Sequence, residues 1–258
     1  MTDSSYQKVS DILAKCSDKE RKLLFTALRA THQIHELEAI FGAPAEIILE
    51  AIHRAPELTR RMLRGVIADA AFALFTVPRL AAHGWRDVTP PGNFSYDHVL
   101  EDDNGKISVQ VKLQRSEKHA PVITNGRKYG LAKGMFMVEP QRTRGGTKRS
   151  KKQRKEGGGT TDRKTRPYRF GEFDVLAVSL QPSTRDWTSF RYTVANWLLP
   201  GKSVTEISTY QPVGTTPNDD WTDDFCEVAR WLRSKSKKTI RNEVPVAPDL
   251  FESSESQR

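Results

Sequence analysis

Asp97, Gln110 and Lys112 are the residues of this 258-residue chain whose types and spacing suit chemistry. Tyr96-Asp97-His98-Val99-Leu100 leads into an acidic turn and then into Ile107-Ser108-Val109-Gln110-Val111-Lys112-Leu113. With a period of two, Ser108, Gln110 and Lys112 share one strand face, and Val109, Val111 and Leu113 share the other. Between the runs, Asp103-Asn104-Gly105-Lys106 contains the Asn-Gly pair that favours a tight type I′ hairpin turn. Two antiparallel strands closed in this way hold a carboxylate, a carboxamide and an ammonium near one another. The oxygens suit a hard divalent cation. The ammonium suits a phosphate.

The elements that must position these residues are legible on both sides. Upstream, Ser17-Asp18-Lys19-Glu20 offers a capping box, and Leu23, Leu24, Ala27 and Leu28 follow at helical spacing. A second helical pattern through Ile34, Leu37, Ile40 and Phe41 stops at Gly42. Ala43-Pro44 then opens a third with Ile47, Ile48, Leu49 and Ile52. Helix, glycine turn and helix outline a helix-turn-helix. The would-be recognition helix carries Glu46 and Glu50 and little positive charge before Arg54, which suits a DNA groove poorly. The competing reading is a helical cap that packs on the main domain or forms a dimer interface.

A fourth helix is expected over 58–82, ending near His83-Gly84 and kinked or broken at Pro78. Residues 85–88 read as a strand closed by Pro90-Pro91-Gly92, and 135–138, 173–180 and 191–199 are also strand-like. An amphipathic helix is expected over 223–233, with Phe225, Val228, Ala229 and Leu232 on one side. The chain thus divides into a helical region at 1–57, an α/β domain at 58–240 and a polar tail at 241–258.

Charge is distributed very unevenly. Between Pro140 and Tyr168 lie Arg142, Arg144, Lys148, Arg149, Lys151, Lys152, Arg154, Lys155, Arg163, Lys164 and Arg166, opposed only by Glu156 and Asp162. That segment nets +9, the formal charge of the whole chain, so the remainder is neutral. It contains Gly145-Gly146 and Gly157-Gly158-Gly159 and has no apolar anchor. Its position between core strands favours contact with a polyanion, double-stranded DNA above all. Such contacts supply affinity more readily than sequence choice. Gln114-Arg115 and the N-terminal helices are further candidates for reaching DNA.

Several classes are disfavoured. Cys16 and Cys226 cannot build a disulfide framework, and no clustered Cys/His spacing suggests zinc. The polar start, Met1-Thr2-Asp3-Ser4-Ser5, has no apolar core of a signal peptide. The longest apolar stretch, 65–78, contains Asp69 and is too short for a bilayer. A cytoplasmic protein with no membrane partner is expected.

The order of an acid-bearing helix, Gly-Trp and a strand, a Pro-rich turn, Tyr-Asp, a hairpin and Gln-Val-Lys resembles the PD-(D/E)XK nuclease superfamily. The residues that carry it are Gly65-Val66-Ile67-Ala68-Asp69, Gly84-Trp85, Pro90-Pro91, Tyr96-Asp97 and Val109-Gln110-Val111-Lys112. The match spans 64–113 and continues more loosely to Phe173-Asp174-Val175-Leu176-Ala177-Val178. It implies a restriction-endonuclease-like α/β fold, a mixed central sheet flanked by helices, beside the N-terminal helical subdomain.

By this resemblance Asp97 falls on the metal-binding aspartate, Gln110 on the second acid and Lys112 on the lysine that assists the attacking water. The Val111 carbonyl and Asp69, as an auxiliary acid, would join them around Mg²⁺. Gln110 departs from the usual Asp or Glu: its carboxamide oxygen can coordinate but brings no charge, so the metal must lean on other carboxylates. On its residues alone, Asp69 could equally face solvent or pair with Arg61 or Arg64. Glu101, Asp102 and Asp103 read as turn residues. The implied activity is a Mg²⁺-dependent endonuclease of the type II restriction kind, often a homodimer, with no small-molecule cofactor. Its rivals are a junction resolvase, repair or homing-type nuclease of the same fold, and a non-catalytic DNA-binding protein.

Overall fold

A computed structural model describes residues 3–118, 120–126, 128–141 and 167–242. The chain forms two compact units, Met1–Met62 and Leu63–Arg258, divided within a helix.

The first unit is helical. It contains α1 (Asp3–Lys15), α2 (Asp18–Arg29), α3 (Leu37–Phe41), α4 (Ala45–Arg54) and the start of α5 (Glu57–Ala71). The expected capping box opens α2: Ser17 Oγ accepts from Glu20 N–H, and the Glu20 carboxylate accepts from Ser17 N–H at 2.7 Å. Gly42 ends α3 in the left-handed region, at φ 59°. Neither α2 nor α4 buries any residue. The buried centre of this unit is a carboxylate, Glu38, which is 7% exposed. Its oxygens accept from Arg29 at 2.5 Å and from the Ile34 and Ala45 N–H groups at 2.7 Å each. Arg29 also bonds Glu46 at 2.9 Å, so one guanidinium ties α2 to both α3 and α4.

The second unit is an α/β fold around a five-stranded sheet. Its strands are β1 (Arg86–Asp87), β2 (His98–Asp102), β3 (Gly105–Leu113), β7 (Val175–Ser179) and β8 (Phe190–Val194), hydrogen-bonded in that order. All neighbours are antiparallel except β3 and β7, which makes the sheet mixed. Two small antiparallel pairs lie outside it: β4 (Ser116–Glu117) with β5 (Ala120–Pro121), and β6 (Phe136–Val138) with β9 (Gln211–Val213). Every residue of β7 and β8 is buried, as expected for strands covered on both faces. Helices flank the sheet. Ala68 and Ala71 of α5 and the following Phe72 enter the core, with Phe72 edge-on to Phe190. A short helix, α7 (Gln181–Thr184), follows β7. On α8 (Phe225–Arg233), Phe225, Val228 and Ala229 are buried, and Phe225 packs edge-on to Trp85 and Tyr192. Its N-terminus is capped by Asp224, whose carboxylate accepts from Cys226 N–H.

One local expectation is sharpened and one corrected. The helix expected over 58–82, kinked or broken at Pro78, is α5, a π turn at Phe72–Thr76, and then α6 (Val77–Ala81) with Pro78 in its first turn. Proline cannot donate, and its ring crowds the carbonyl four residues earlier; the wider π turn accommodates both. The hairpin is tight, since Asp102 pairs with Gly105, but the turn is not type I′. That turn needs positive φ at both Asp103 and Asn104, and neither has it; Gly105 takes the left-handed step instead, at φ 115°. The cause is local: the Asp102 carboxylate accepts from Asn104 N–H at 2.9 Å, an Asx turn that fixes the loop first.

Among the described residues, no helix is long and apolar enough to cross a membrane.

Candidate active site

The last registered pair of the β2–β3 ladder is His98 with Val109, and Asp97 extends it by one bond, its N–H donating to Val109 O at 2.9 Å. Beyond this point β2 offers Val111 no backbone partner. The Asp97 carboxylate takes its place: Oδ2 accepts from Val111 N–H at 2.8 Å. The same oxygen accepts from the Gln110 carboxamide, whose Nε2 also lies 3.2 Å from Val111 O. Gln110 is 1% exposed, and its Oε1 accepts from the Tyr168 hydroxyl at 3.0 Å. The period-two register puts Lys112 on the face of Gln110, and Lys112 Nζ stands 5.6 Å from the centre of the Tyr168 ring. Asp97, Gln110, Val111 and Lys112 therefore converge at one end of the hairpin.

Burial shapes the electrostatics. It pushes the Asp97 carboxyl above the ordinary aspartate range, against the charge of Lys112 and the Val111 N–H, while the negative charge of Asp69 adds to the rise. Burial also pushes the Lys112 ammonium down, against the pull of Asp97 and Asp69. An ammonium and a carboxylate each short of water answer strongly to any ion placed between them.

Asp69, on α5, stands within electrostatic reach of both groups, and its Oδ1 lies 2.9 Å from His98 Nε2. The other imidazole nitrogen, Nδ1, is 3.5 Å from Asp87 Oδ2. Burial alone would lower the His98 pKa. The Asp69 hydrogen bond and the charges of Asp69 and Asp87 outweigh it and leave the imidazole above its ordinary range. His98 thus bridges two carboxylates beside the Asp97 site.

The donor set can be tested against a hard cation. Among the described residues no three His, Cys, Asp or Glu side chains come together as a metal cluster, so carboxylates alone do not build a centre. What converges is one carboxylate, one main-chain carbonyl and one carboxamide. Asp97 Oδ2 and Val111 O already point at a common donor, the Gln110 NH₂. Oxygens that hold a partial positive charge between them suit Mg²⁺.

The remaining predicted residues are placed elsewhere. Gln114 is a correction: it is 1% exposed, and its Oε1 accepts from Ser183 Oγ, which leaves no surface to offer a base edge. Arg115 is half-buried, paired with Glu117 at 3.1 Å and with Glu139, and lies near the Tyr129 and Tyr210 rings. Asp102 pairs with Arg233, and Glu101 with Arg86 and Lys106, so both serve the hairpin. Asp174 ties β7 to β3 by accepting from the Ser108 N–H and hydroxyl at 2.8 and 2.6 Å. Arg142, Arg144, Lys148, Arg149, Lys151, Lys152, Arg154, Lys155, Arg163, Lys164 and Arg166 lie outside the described residues. The positions that flank them are described: Gln141 and Pro167 form an antiparallel bridge, and Tyr168 follows directly.

Three residues at the site escaped the sequence reading: His98, Asp87 and Tyr168. A histidine adjoining Asp97 was the available signal for the first.

No family model matches the chain, and no curated protein does. Among solved structures it is similar to a bacterial homing endonuclease, I-Ssp6803I, with 22% identity and a TM-score of 0.33 over 62% of this chain and 81% of that one.

Proposed function

We propose that the chain is a Mg²⁺-dependent endonuclease that hydrolyses phosphodiester bonds of double-stranded DNA, most simply a type II restriction enzyme. The observation that carries this reading is the convergence of Asp97, Gln110, Val111 O and Lys112, with Asp69 close enough to act on Asp97 and Lys112. Asp97, the Val111 carbonyl and the Gln110 carboxamide would hold the cation, with Asp69 as the auxiliary acid. When bound, the metal supplies a Lewis acid for the scissile phosphate and acidifies a coordinated water. Lys112, with its lowered pKa, can accept a proton from a water at the site or donate a hydrogen bond to the charged phosphoryl oxygens. Tyr168, which follows the basic segment in sequence, reaches the site, and the charge of that segment supports phosphate contacts.

Purified protein is expected to nick and linearise plasmid DNA with Mg²⁺ and to lose this with EDTA or with Asp97→Ala. Full cleavage by Asp97→Ala would overturn the assignment. Discrete fragments from linear plasmid support restriction; preference for branched DNA supports a resolvase; salt-sensitive binding without cleavage supports a non-catalytic binder.

We further propose that the first unit pairs with a second copy of this chain. Sixteen large apolar side chains of Met1–Met62 are at least 38% exposed. Covering them removes on the order of 1,000 Å² per copy, which reaches the total of about 2,000 Å² found in obligate homodimers. The unit carries nine Lys and Arg against nine Asp and Glu, so like copies do not repel, and DNA gains no net attraction to it. Each α/β unit has one candidate site, and cutting both strands of a duplex calls for two.

A further inference from the structure

Gln110 is a departure from an acid, and its surroundings give that departure a purpose. Asp97 Oδ2 and Val111 O are acceptors without protons, and the carboxamide NH₂ faces both. The carboxamide oxygen faces the opposite way, to the Tyr168 hydroxyl. The site is closed on itself: Asp97 Oδ2 and Val111 O both meet the Gln110 NH₂, the carboxamide oxygen meets the Tyr168 hydroxyl, and Gln110 is buried with both ends satisfied. A glutamate at this position would press a second carboxylate against Asp97 and require a proton or a cation to fold.

We propose that the Gln110 NH₂ stands in for the cation in the metal-free protein, and that metal entry reverses the carboxamide. Reversal presents Oε1 to the metal beside Asp97 and Val111 O, and turns Nε2 to Tyr168. The Tyr168 hydroxyl, which donates in the metal-free protein, then accepts. A phenol can do either; a phenyl, carboxylate or ammonium in its place cannot do both. Tyr168 is thus a positioning residue for Gln110, and it lies two residues beyond the last cation of the basic segment. The inference rests on the metal-dependent nuclease reading and adds to it how the site remains assembled between metal-binding events.

The test uses the full-length chain without DNA. Melting is measured in EDTA and in Mg²⁺ for wild type and Gln110→Glu, and Mn²⁺ affinity is measured by calorimetry. Wild type should fold in EDTA and gain only modestly in melting temperature from Mg²⁺, less than Gln110→Glu gains. Gln110→Glu should melt lower in EDTA, by on the order of 5 °C, recover in Mg²⁺, and bind Mn²⁺ at least about tenfold more tightly. Should Gln110→Glu fail to fold, the exchange Asp97→Asn with Gln110→Glu restores an amide–carboxylate pair. It is expected to fold in EDTA, and its failure to do so counts against the inference.

Tyr168→Phe should weaken Mn²⁺ binding several-fold, because the reversed carboxamide would be left with a buried N–H unpaired, which is harder to tolerate than an unpaired carbonyl. In ¹⁵N-glutamine-labelled protein, the Gln110 side-chain resonance should shift on Mg²⁺ saturation and be absent from Gln110→Glu. If wild type binds metal while that resonance stays fixed and Gln110→Glu is indifferent to EDTA, amide reversal is wrong and the nuclease reading stands. If wild type binds neither Mg²⁺ nor Mn²⁺, both are wrong.

Discussion

The two units place polar and apolar groups in opposite ways. In Leu63–Arg258 the sheet and its flanking helices bury a large apolar core, Trp221 and Phe72 among it, and buried His98 and Gln110 lie at the candidate site. In Met1–Met62 the buried group is a carboxylate, Glu38, held by Arg29 and two main-chain N–H groups, and the leucines and isoleucines face outward. A helix draws most of its stability from burying an apolar face. The α/β unit meets that requirement within one chain. The helical unit is pinned at Glu38 and Arg29 and exposes apolar surface, which the proposed second copy would cover. On the proposed reading, buried polar groups do different work in the two units: chemistry in one, architecture in the other.

Lys112→Met should separate those roles most sharply. It is expected to lower cleavage by about 10³-fold or more, since the proposed site would lose the charge that faces the scissile phosphate. Its melting temperature should change little, because relief from burying the ammonium offsets the countercharge that Asp97 loses. Cleavage assays and melting on the same preparation check both halves. A large loss of stability would make Lys112 an architectural residue and remove the contrast.

A charge on the outer helical face should act the other way. Phe25→Glu with Leu28→Glu, both more than half exposed, is expected to leave the isolated fold unharmed and convert a dimer to a monomer by light scattering. A wild type that is already monomeric at micromolar concentration would refute the second-copy proposal. DNA affinity lost without any change in mass would return the helices to a reading of DNA.

Arg29→Met should be milder than Lys112→Met in cleavage and worse in structure. It leaves Glu38 facing two N–H groups without its cation, and Glu46 without its partner. Hydrogen exchange should show α3 and α4 losing protection while β3 and β7 keep theirs. Equal loss in both units would mean that they are energetically one.

What could be read from the sequence follows from how local each cause is. The juxtaposition of Asp97, Gln110 and Lys112 was legible because a hairpin brings together residues that alternation already sorts onto faces. The capping box at Ser17 and the end of α3 at Gly42 were legible for the same reason. Tyr168 was not, because it reaches Gln110 across 58 residues and the basic segment. Nor was the turn, because the Asx bond of Asp102 outweighs the Asn-Gly preference; the interruption near Pro78 was legible, the π turn that makes it was not. Gln114 followed the strand pattern into an interior that only the β3–β7 pairing defines. α1 was not read as a separate helix, although Val9, Ile12 and Leu13 carry helical spacing.

The smallest expected effect probes whether Asp69 belongs to the chemistry or to the scaffold. His98 titrates above its ordinary value in the folded protein, through Asp69 and Asp87, against the effect of burial. A group whose folded pKa is raised adds stability that is fully present below its unfolded value and is lost as pH rises through the folded one. Wild type should therefore exceed Asp69→Asn in melting temperature at about pH 6, below the ordinary histidine value near 6.5, and the gap should narrow as pH rises past it. A gap independent of pH would mean that Asp69 stabilises by some route other than the imidazolium. A gap that closes with pH, in a variant whose Mn²⁺ affinity is also lowered, would give Asp69 both roles: a partner of His98 on the scaffold side and a carboxylate for the metal on the other.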